Sequence, residues 1–191
     1  PDLSELTHLI YLDISDMGLS ALPDLTQFAN LTELFIGGNP FGSFPDLSPY
    51  NLNRLGIQNL GLISLPDISF LTNLEYLDFS NNPLIAFPDL NGFEHLEYVR
   101  ADNRGLNEIP VLSYLINLYS FNCSYNNLTS LPDFTENTNL FYVIATYNNI
   151  TSIPNVYRNW GGEIRPILWM DHNLLTEDNC ADINAVFDNG G

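Results

Sequence analysis

The chain has 191 residues, 45% of them hydrophobic and 13% aromatic, with five arginines, no lysine, 23 acidic residues and a formal net charge of −18. The apolar content is too high for a disordered chain, and the length suits a single domain. So negative a surface repels phosphate groups, which argues against nucleic acid as a partner. The chain also lacks an apolar run long enough to cross a bilayer, so we expect no membrane insertion.

The sequence repeats about every 22 residues, starting near its first residue. Leu9-x-x-Leu12-x-Ile14-x-x-Met17-x-Leu19 aligns with the segments that begin at Leu31 and Leu52. The same frame recurs from Leu74, Leu96, Leu118 and Leu140, with a drifted copy from Ile164. The ninth positions of the eight copies fall at residues 17, 39, 60, 82, 104, 126, 148 and 172. Such regular self-similarity indicates a solenoid built from one structural unit per copy.

Each copy predicts one short strand, because residues such as Tyr11 to Ser15 alternate between polar and apolar side chains. Strands that follow each other in one direction form a parallel sheet, and the polar positions require one face of that sheet to be solvent-exposed. The second half of each copy is apolar and should return behind the sheet. A proline opens this half and predicts turns or short 3₁₀ segments there, at residues 23, 45, 66, 88, 110, 132 and 154.

The pattern resembles the leucine-rich repeat family, L-x-x-L-x-L-x-x-N-x-L. The repeat length and the Leu-Thr-Asn-Leu at 71–74 are similar to the bacterial internalin type, and the Leu-Pro-Asp-Leu at 22–25 is similar to the repeats of bacterial effector proteins. The resemblance implies an α/β right-handed solenoid, with a curved parallel sheet on its concave face and turns on its convex face. It also implies ligand binding as the role of the chain, in a secreted or cell-surface bacterial protein concerned with adhesion.

We expect the solenoid to occupy residues 1–175 and a capping helix residues 176–191. Thr176 can cap the N-terminus of that helix, and Cys180 and Phe187 lie on one of its faces. The chain begins in mid-repeat, so we expect the natural protein to continue upstream.

Two columns of asparagine recur in the repeat, and both are expected to satisfy backbone groups in turns. The first comprises Asn39, Asn82, Asn126 and Asn148, and the second comprises Asn30, Asn51, Asn73, Asn117 and Asn139. Three copies have another residue in the first column, followed by Gly18, Gly61 or Gly105. Glycine permits a positive φ, so these copies are expected to turn by a different backbone route.

No catalytic motif is present, and the three histidines lie far apart in the repeat, so we expect no enzyme and no cofactor. A column of aspartates follows the prolines and could either cap turns or bind calcium through oxygen ligands; we favour capping. It comprises Asp24, Asp46, Asp67, Asp89 and Asp133. Cys123 and Cys180 lie more than two coils apart, so both thiols should be unpaired.

The exposed sheet face is the best candidate for a binding surface, because tyrosine and arginine contribute strongly to interfaces. Its predicted ligand-binding residues are Arg54, Tyr76, Asp78, Tyr98, Arg100, Asp102, Asn122 and Tyr142. Aromatic stacking that only stabilises the sheet would explain the same residues. We expect a protein ligand on this face. Two alternatives remain at this point: a glycan-binding module, and a targeting arm of a larger enzyme.

Overall fold

The computed structural model describes residues 8–102, 105–153 and 167–176. Its strands form one eight-stranded sheet in sequence order, and every neighbouring pair is parallel and in register. The strands are β1 Tyr11–Asp13, β2 Glu33–Phe35, β3 Arg54–Gly56, β4 Tyr76–Asp78, β5 Tyr98–Arg100, β6 Ser120–Asn122, β7 Tyr142–Ile144 and β8 Ile167–Trp169. The predicted solenoid with one parallel sheet is confirmed.

The core lies behind the sheet, where the central residue of each strand meets the returning half of its coil. Leu34, Leu55 and Leu77 are fully buried at equivalent positions of β2, β3 and β4. The returning halves contribute Leu25, Leu47, Leu90 and Phe134, among others. Phe121, at the centre of β6, packs against Phe134 with ring centroids 5.8 Å apart. Because each coil contacts mainly its neighbours, this core is continuous along the solenoid.

The returning halves contain turns, and no helix occurs in the described part of the chain. Two successive turns are typical: Phe28 N donates to Leu25 O and Leu31 N donates to Phe28 O, at 2.9 and 3.0 Å. The predicted turns are therefore confirmed, and no 3₁₀ segment longer than a single turn occurs in the described residues. The capping helix was predicted for residues 176–191, and all of these except Thr176 lie outside the described residues, as does Cys180.

The first asparagine column ties neighbouring coils together from inside. The Oδ1 of Asn82, which is fully buried, accepts hydrogen bonds from the backbone N–H groups of Leu60 and Leu62 in the preceding coil. Its Nδ2 donates to the carbonyl oxygens of Ile57 and Phe79, both at 2.9 Å. One amide thus satisfies four backbone groups that would otherwise be unpaired in the interior. This confirms the predicted role of the column.

Copies that lack this asparagine bond to the amide of the next coil, as the copy with Asn126 also does through Leu128 N and Asn148 Oδ1. Met17 N and Leu19 N both donate to Asn39 Oδ1, at 3.1 and 3.0 Å. The glycine after the missing asparagine has positive φ in two such copies, 68° at Gly18 and 71° at Gly61. The alternative backbone route predicted for these copies is therefore present in both.

The last member of the column differs from the prediction, which assigned it to His172. Asn173 occupies the place instead: its Oδ1 accepts from Ile150 N at 2.9 Å and its Nδ2 donates to Ala145 O at 2.8 Å. His172 takes the preceding position, which has positive φ in the other coils as well, for example at Asp16 and Tyr147. The lengthened final repeat shifted the alignment by one residue.

Candidate functional site

The solvent face of the sheet brings the predicted site residues together in rows that run across the strands. The register pairs Arg54 with Tyr76, and Tyr76 with Tyr98, in the first row. Tyr142 continues that row after Ser120. The second row contains Asp78, Arg100 and Asn122, and Asp102 lies two residues beyond Arg100 in the third.

An ion-pair network occupies the middle of this face. Arg100 Nη1 lies 3.5 Å from Asp78 Oδ2, and Arg100 Nε lies 3.5 Å from Asp102 Oδ1. Asn122 Nδ2 donates to the same Asp102 oxygen at 3.2 Å. Burial raises the pKa of Asp102, and the Arg100 guanidinium opposes this increase without cancelling it. The Arg100 charge is thus already paired within the chain.

The prediction that Asp78 is exposed is wrong. Only 5% of Asp78 is exposed, because Arg100 pairs with it from the neighbouring strand. Its Oδ1 also accepts a hydrogen bond from Ser80 N at 3.0 Å. Asp78 therefore holds the guanidinium in place and offers little surface to a ligand.

Arg54 makes a second, more exposed arrangement beside the network. Its Nη1 lies 3.6 Å from Glu33 Oε2, and its guanidinium carbon lies 4.8 Å from the centroid of the Tyr76 ring and 5.9 Å from that of Phe35. Such a position over a ring face is a cation–π contact. Burial raises the pKa of Tyr76, so its phenol stays protonated near neutral pH. Here a cation is held jointly by a carboxylate and by aromatic rings.

Aromatic rings form a connected row that runs across the strands on the solvent face of the sheet. Adjacent rings have centroids between 4.7 and 6.4 Å apart across this row. Its members are Tyr11, Phe35, Tyr76, Tyr98, Tyr119, Phe141, Tyr142 and Trp169. Phe35 fits because Gly56 has no side chain: a Cβ there would lie 2.4 Å from the ring. The alignment identified most of these rings, but not Trp169, whose copy has drifted.

A second aromatic group lies at the opposite edge of the sheet, and the place of His172 in it was not predicted. The rings of Tyr125 and Tyr147 are parallel with centroids 4.6 Å apart, and His172 stacks on Tyr147 at 4.0 Å. All three residues have φ between 56° and 58° at equivalent positions of the turn. The sequence does contain a sign of this group: in the last three coils, an aromatic residue directly precedes the asparagine of the first column.

The aspartate column lies in the returning halves and caps turns, as expected. Asp24 Oδ1 accepts from Thr26 N and from Thr26 Oγ1, at 2.9 and 2.6 Å. Asp67 makes the same two bonds to Ser69. Hydrogen bonds from these hydroxyl and backbone groups lower the pKa of both carboxyl groups. Among the described residues, no group of three or more His, Cys, Asp and Glu could hold a metal ion.

Cys123 is buried at an inward position after β6 and is a free cysteine. Burial raises the pKa of its thiol, so the sulfur remains protonated. The histidines that the sequence analysis considered do not approach each other, since His8 and His95 lie on separate coils and His172 stacks on Tyr147. No helix in the described residues could cross a membrane.

Comparisons with known proteins agree with this fold. A family model described as "Leucine Rich Repeat" matches residues 73–96. No curated protein matches the chain. A leucine-rich repeat protein from Leptospira interrogans matches 91% of the chain with 26% identity and a TM-score of 0.76.

Two further solved structures are similar in fold. Internalin C2 from Listeria monocytogenes matches 93% of the chain and 77% of its own length, with 18% identity and a TM-score of 0.70. YopM, a leucine-rich effector protein from Yersinia pestis, matches 90% of the chain with 24% identity and a TM-score of 0.66. The chain spans 46% of the Leptospira protein and 51% of the Yersinia protein.

Proposed function

We propose that this chain, which is a leucine-rich repeat protein of the 22-residue bacterial type, is a non-catalytic module that binds a protein on the exposed face of its sheet. The observation that carries the proposal is the aromatic row with Arg54 beside it on that face. Tyrosine, tryptophan and arginine are the residues that most often dominate binding energy at interfaces. Tyr98 is 39% exposed and Trp169 is 49% exposed, so both offer aromatic surface to a partner.

The predicted site residues have two different roles in this proposal. Arg54, Tyr76, Tyr98 and Tyr142 contact the ligand directly, because they form the first row on the solvent side of the strands. The others form or flank the ion-pair network and position its guanidinium: Asp78, Arg100, Asp102 and Asn122. A pre-organised face loses less conformational entropy when it binds than a flexible one.

We also propose a secreted or cell-surface location, which the likeness to an internalin and to another bacterial leucine-rich repeat protein supports. Leucine-rich repeat proteins in general bind protein partners. In a longer protein with a catalytic domain, the same binding would direct that domain to its target, which is the targeting-arm alternative.

Site-specific cross-linking tests the proposal. Benzoylphenylalanine introduced at Tyr98 should cross-link to a protein, while the same group at Phe70, an exposed aromatic on a returning half, should not. The cross-linked protein would be identified by mass spectrometry and purified. Cross-links that form only from position 70 would contradict the proposal.

Direct binding to the purified partner then measures the contribution of the tyrosines. Tyr76→Ala and Tyr98→Ala should each weaken binding by roughly 1 to 3 kcal/mol if these rings are hot spots. Phe70→Ala is the matched control and should leave the affinity unchanged. If both tyrosine variants bind as well as the natural chain but unfold at lower temperature, the aromatic row only stabilises the sheet.

A further inference from the structure

The exposed sheet face has an acidic edge, which we define as Glu75 and Glu97 together with the tyrosines that follow them, Tyr76 and Tyr98. The two Glu-Tyr pairs lie in register on adjacent strands, and Glu97 N donates to Glu75 O at 2.9 Å. Both glutamates are exposed. The same dipeptide is therefore presented twice, one strand spacing apart, beside the aromatic row.

In the described part of the chain Arg54 lies over the Tyr76 ring, but no ion pair involves Glu75 or Glu97. The arginines of this part are Arg54 and Arg100, and their ion pairs are with Glu33, Asp78 and Asp102. Glu75 accepts one neutral hydrogen bond, from Asn53 Nδ2 at 3.2 Å. The carboxylates of the acidic edge thus face solvent as negative charges without an ion pair among the described residues.

Arg54 shows which kind of side chain can bind between a carboxylate and a tyrosine ring on this face. It joins a carboxylate, Glu33, to the face of Tyr76 through one guanidinium, 3.6 Å from the former and 4.8 Å from the latter. At the start of β5, Glu97 and Tyr98 offer another carboxylate and ring. Among the described residues no guanidinium pairs with Glu97, since Arg100 pairs with Asp78 and Asp102. Arginine suits such a place better than lysine, since its planar group can pair with a carboxylate and stack on a ring together.

We propose that the partner is a basic protein segment that binds the acidic edge through arginine, with one guanidinium held between Glu97 and Tyr98 and further positive charge near Glu75. This inference rests on the proposed function and adds the chemistry of the partner. The net charge of −18 supports it at long range, because it attracts basic proteins and repels acidic ones before contact. The aromatic row and the acidic edge then act together: the rings bury surface against the partner, and the carboxylates select a positively charged partner.

Peptide binding tests the proposal directly. The probes are three amidated nonapeptides, Gly-Arg-Ser, Gly-Lys-Ser and Gly-Gln-Ser, each repeated three times, and binding is followed by NMR titration of the whole chain. The arginine peptide should bind roughly three- to tenfold more tightly than the lysine peptide, because of the added stacking. Its largest shifts should occur at Glu97 and Tyr98. Tyr98→Ala should weaken arginine-peptide binding by a similar factor.

A matched pair of variants separates the acidic edge from the general negative charge. Glu75→Gln with Glu97→Gln removes two charges at the edge, and Glu108→Gln with Glu136→Gln removes two exposed charges on the returning halves. Long-range attraction falls equally in both. The edge variant should lose roughly three- to tenfold more affinity for the arginine peptide than the control. Equal losses in the two variants would overturn the proposal.

Failure of this inference is distinguishable from failure of the proposed function. If benzoylphenylalanine at position 98 captures a protein whose purified form binds the edge variant as tightly as the natural chain, the sheet face is a binding surface but its partner is not selected by basic charge. If neutral oligosaccharides on an array bind the chain in competition with that protein, the acidic edge is likewise not the basis of selection. If cross-links form only from position 70, the face itself is not the site.

Discussion

The inner and outer sides of the sheet are made by the same three-residue strands, yet the inner residues stay apolar from coil to coil while the outer residues change in chemical type. On the inner side, β2, β3 and β4 all carry leucine at their centre, and each of these is fully buried. On the outer side, the residue that precedes this leucine is Glu33, Arg54 or Tyr76. The repeat thus determines the core, while the outer side is free to carry a specific pattern of rings and charges.

The largest expected effect is on the inner side, at Phe121. Its ring is fully buried and packs against Phe87 and Phe134. Phe121→Ala should lower the free energy of unfolding by about 3 to 5 kcal/mol, because it leaves a large cavity in a close-packed core. Urea denaturation measures this. Tyr98→Ala, on the outer side of the adjacent strand, is the control and should cost less than about 1 kcal/mol; equal losses would mean that the two sides do not differ as described.

The second effect concerns the polar part of the interior, at Asn82. Asn82→Ala leaves four backbone groups of two adjacent coils without their partner. We expect a loss of about 2 to 4 kcal/mol, since each buried unsatisfied group costs about 1 kcal/mol or more and water can relieve some of them. Asn73→Ala is the matched control, because Asn73 is exposed and its side chain donates, among the described residues, to the side chain of Asn51. A loss no greater than that of the control would remove the structural role assigned to the column.

The contrast between the two sides explains what could be predicted from the sequence. Residues that repeat at a fixed period, such as Leu34 and Asn82, take equivalent places in successive coils, so the repeat alone located the strands, the core and all but the last member of the asparagine column. Asp78 was misjudged because its burial depends on Arg100, a neighbour in the next coil that the repeat does not prescribe. The Tyr147 and His172 stack was missed for a related reason: the longer last repeat displaced the alignment by one residue.

The third effect is a loss of stability on the outer side, on removal of Arg100, which pairs with Asp78 and is not part of the repeat pattern. Arg100→Ala leaves the buried Asp78 without its counter-charge, so we expect a loss of about 1 to 3 kcal/mol at neutral pH. Arg54→Ala breaks a more exposed pair and should cost less than about 1 kcal/mol. Thermal unfolding of both variants compares them. A larger loss at Arg54 would show that burial of the carboxylate does not govern these pairs.

The smallest expected effect is on the pH dependence of stability, at the aspartates that cap turns in the returning halves. Hydrogen bonds from Ser69 lower the pKa of Asp67 in the folded chain, so its ionised form is favoured by folding. The stability that Asp67 contributes is therefore present above its unfolded pKa of about 3.9 and is lost as the pH falls through the lower folded value. Asp67→Asn keeps an oxygen acceptor for the turn but cannot ionise.

Urea denaturation of the natural chain and of Asp67→Asn, repeated between about pH 6 and pH 2.5, tests this direction. The natural chain should be the more stable of the two at the upper end, and the difference should shrink as the pH falls below about 4. Glu108→Gln removes one exposed charge outside the capped turns and corrects for the general effect of net charge. A difference that grows as the pH falls would mean that the turn favours the protonated carboxyl group, contrary to the hydrogen bonds that Asp67 accepts from Ser69.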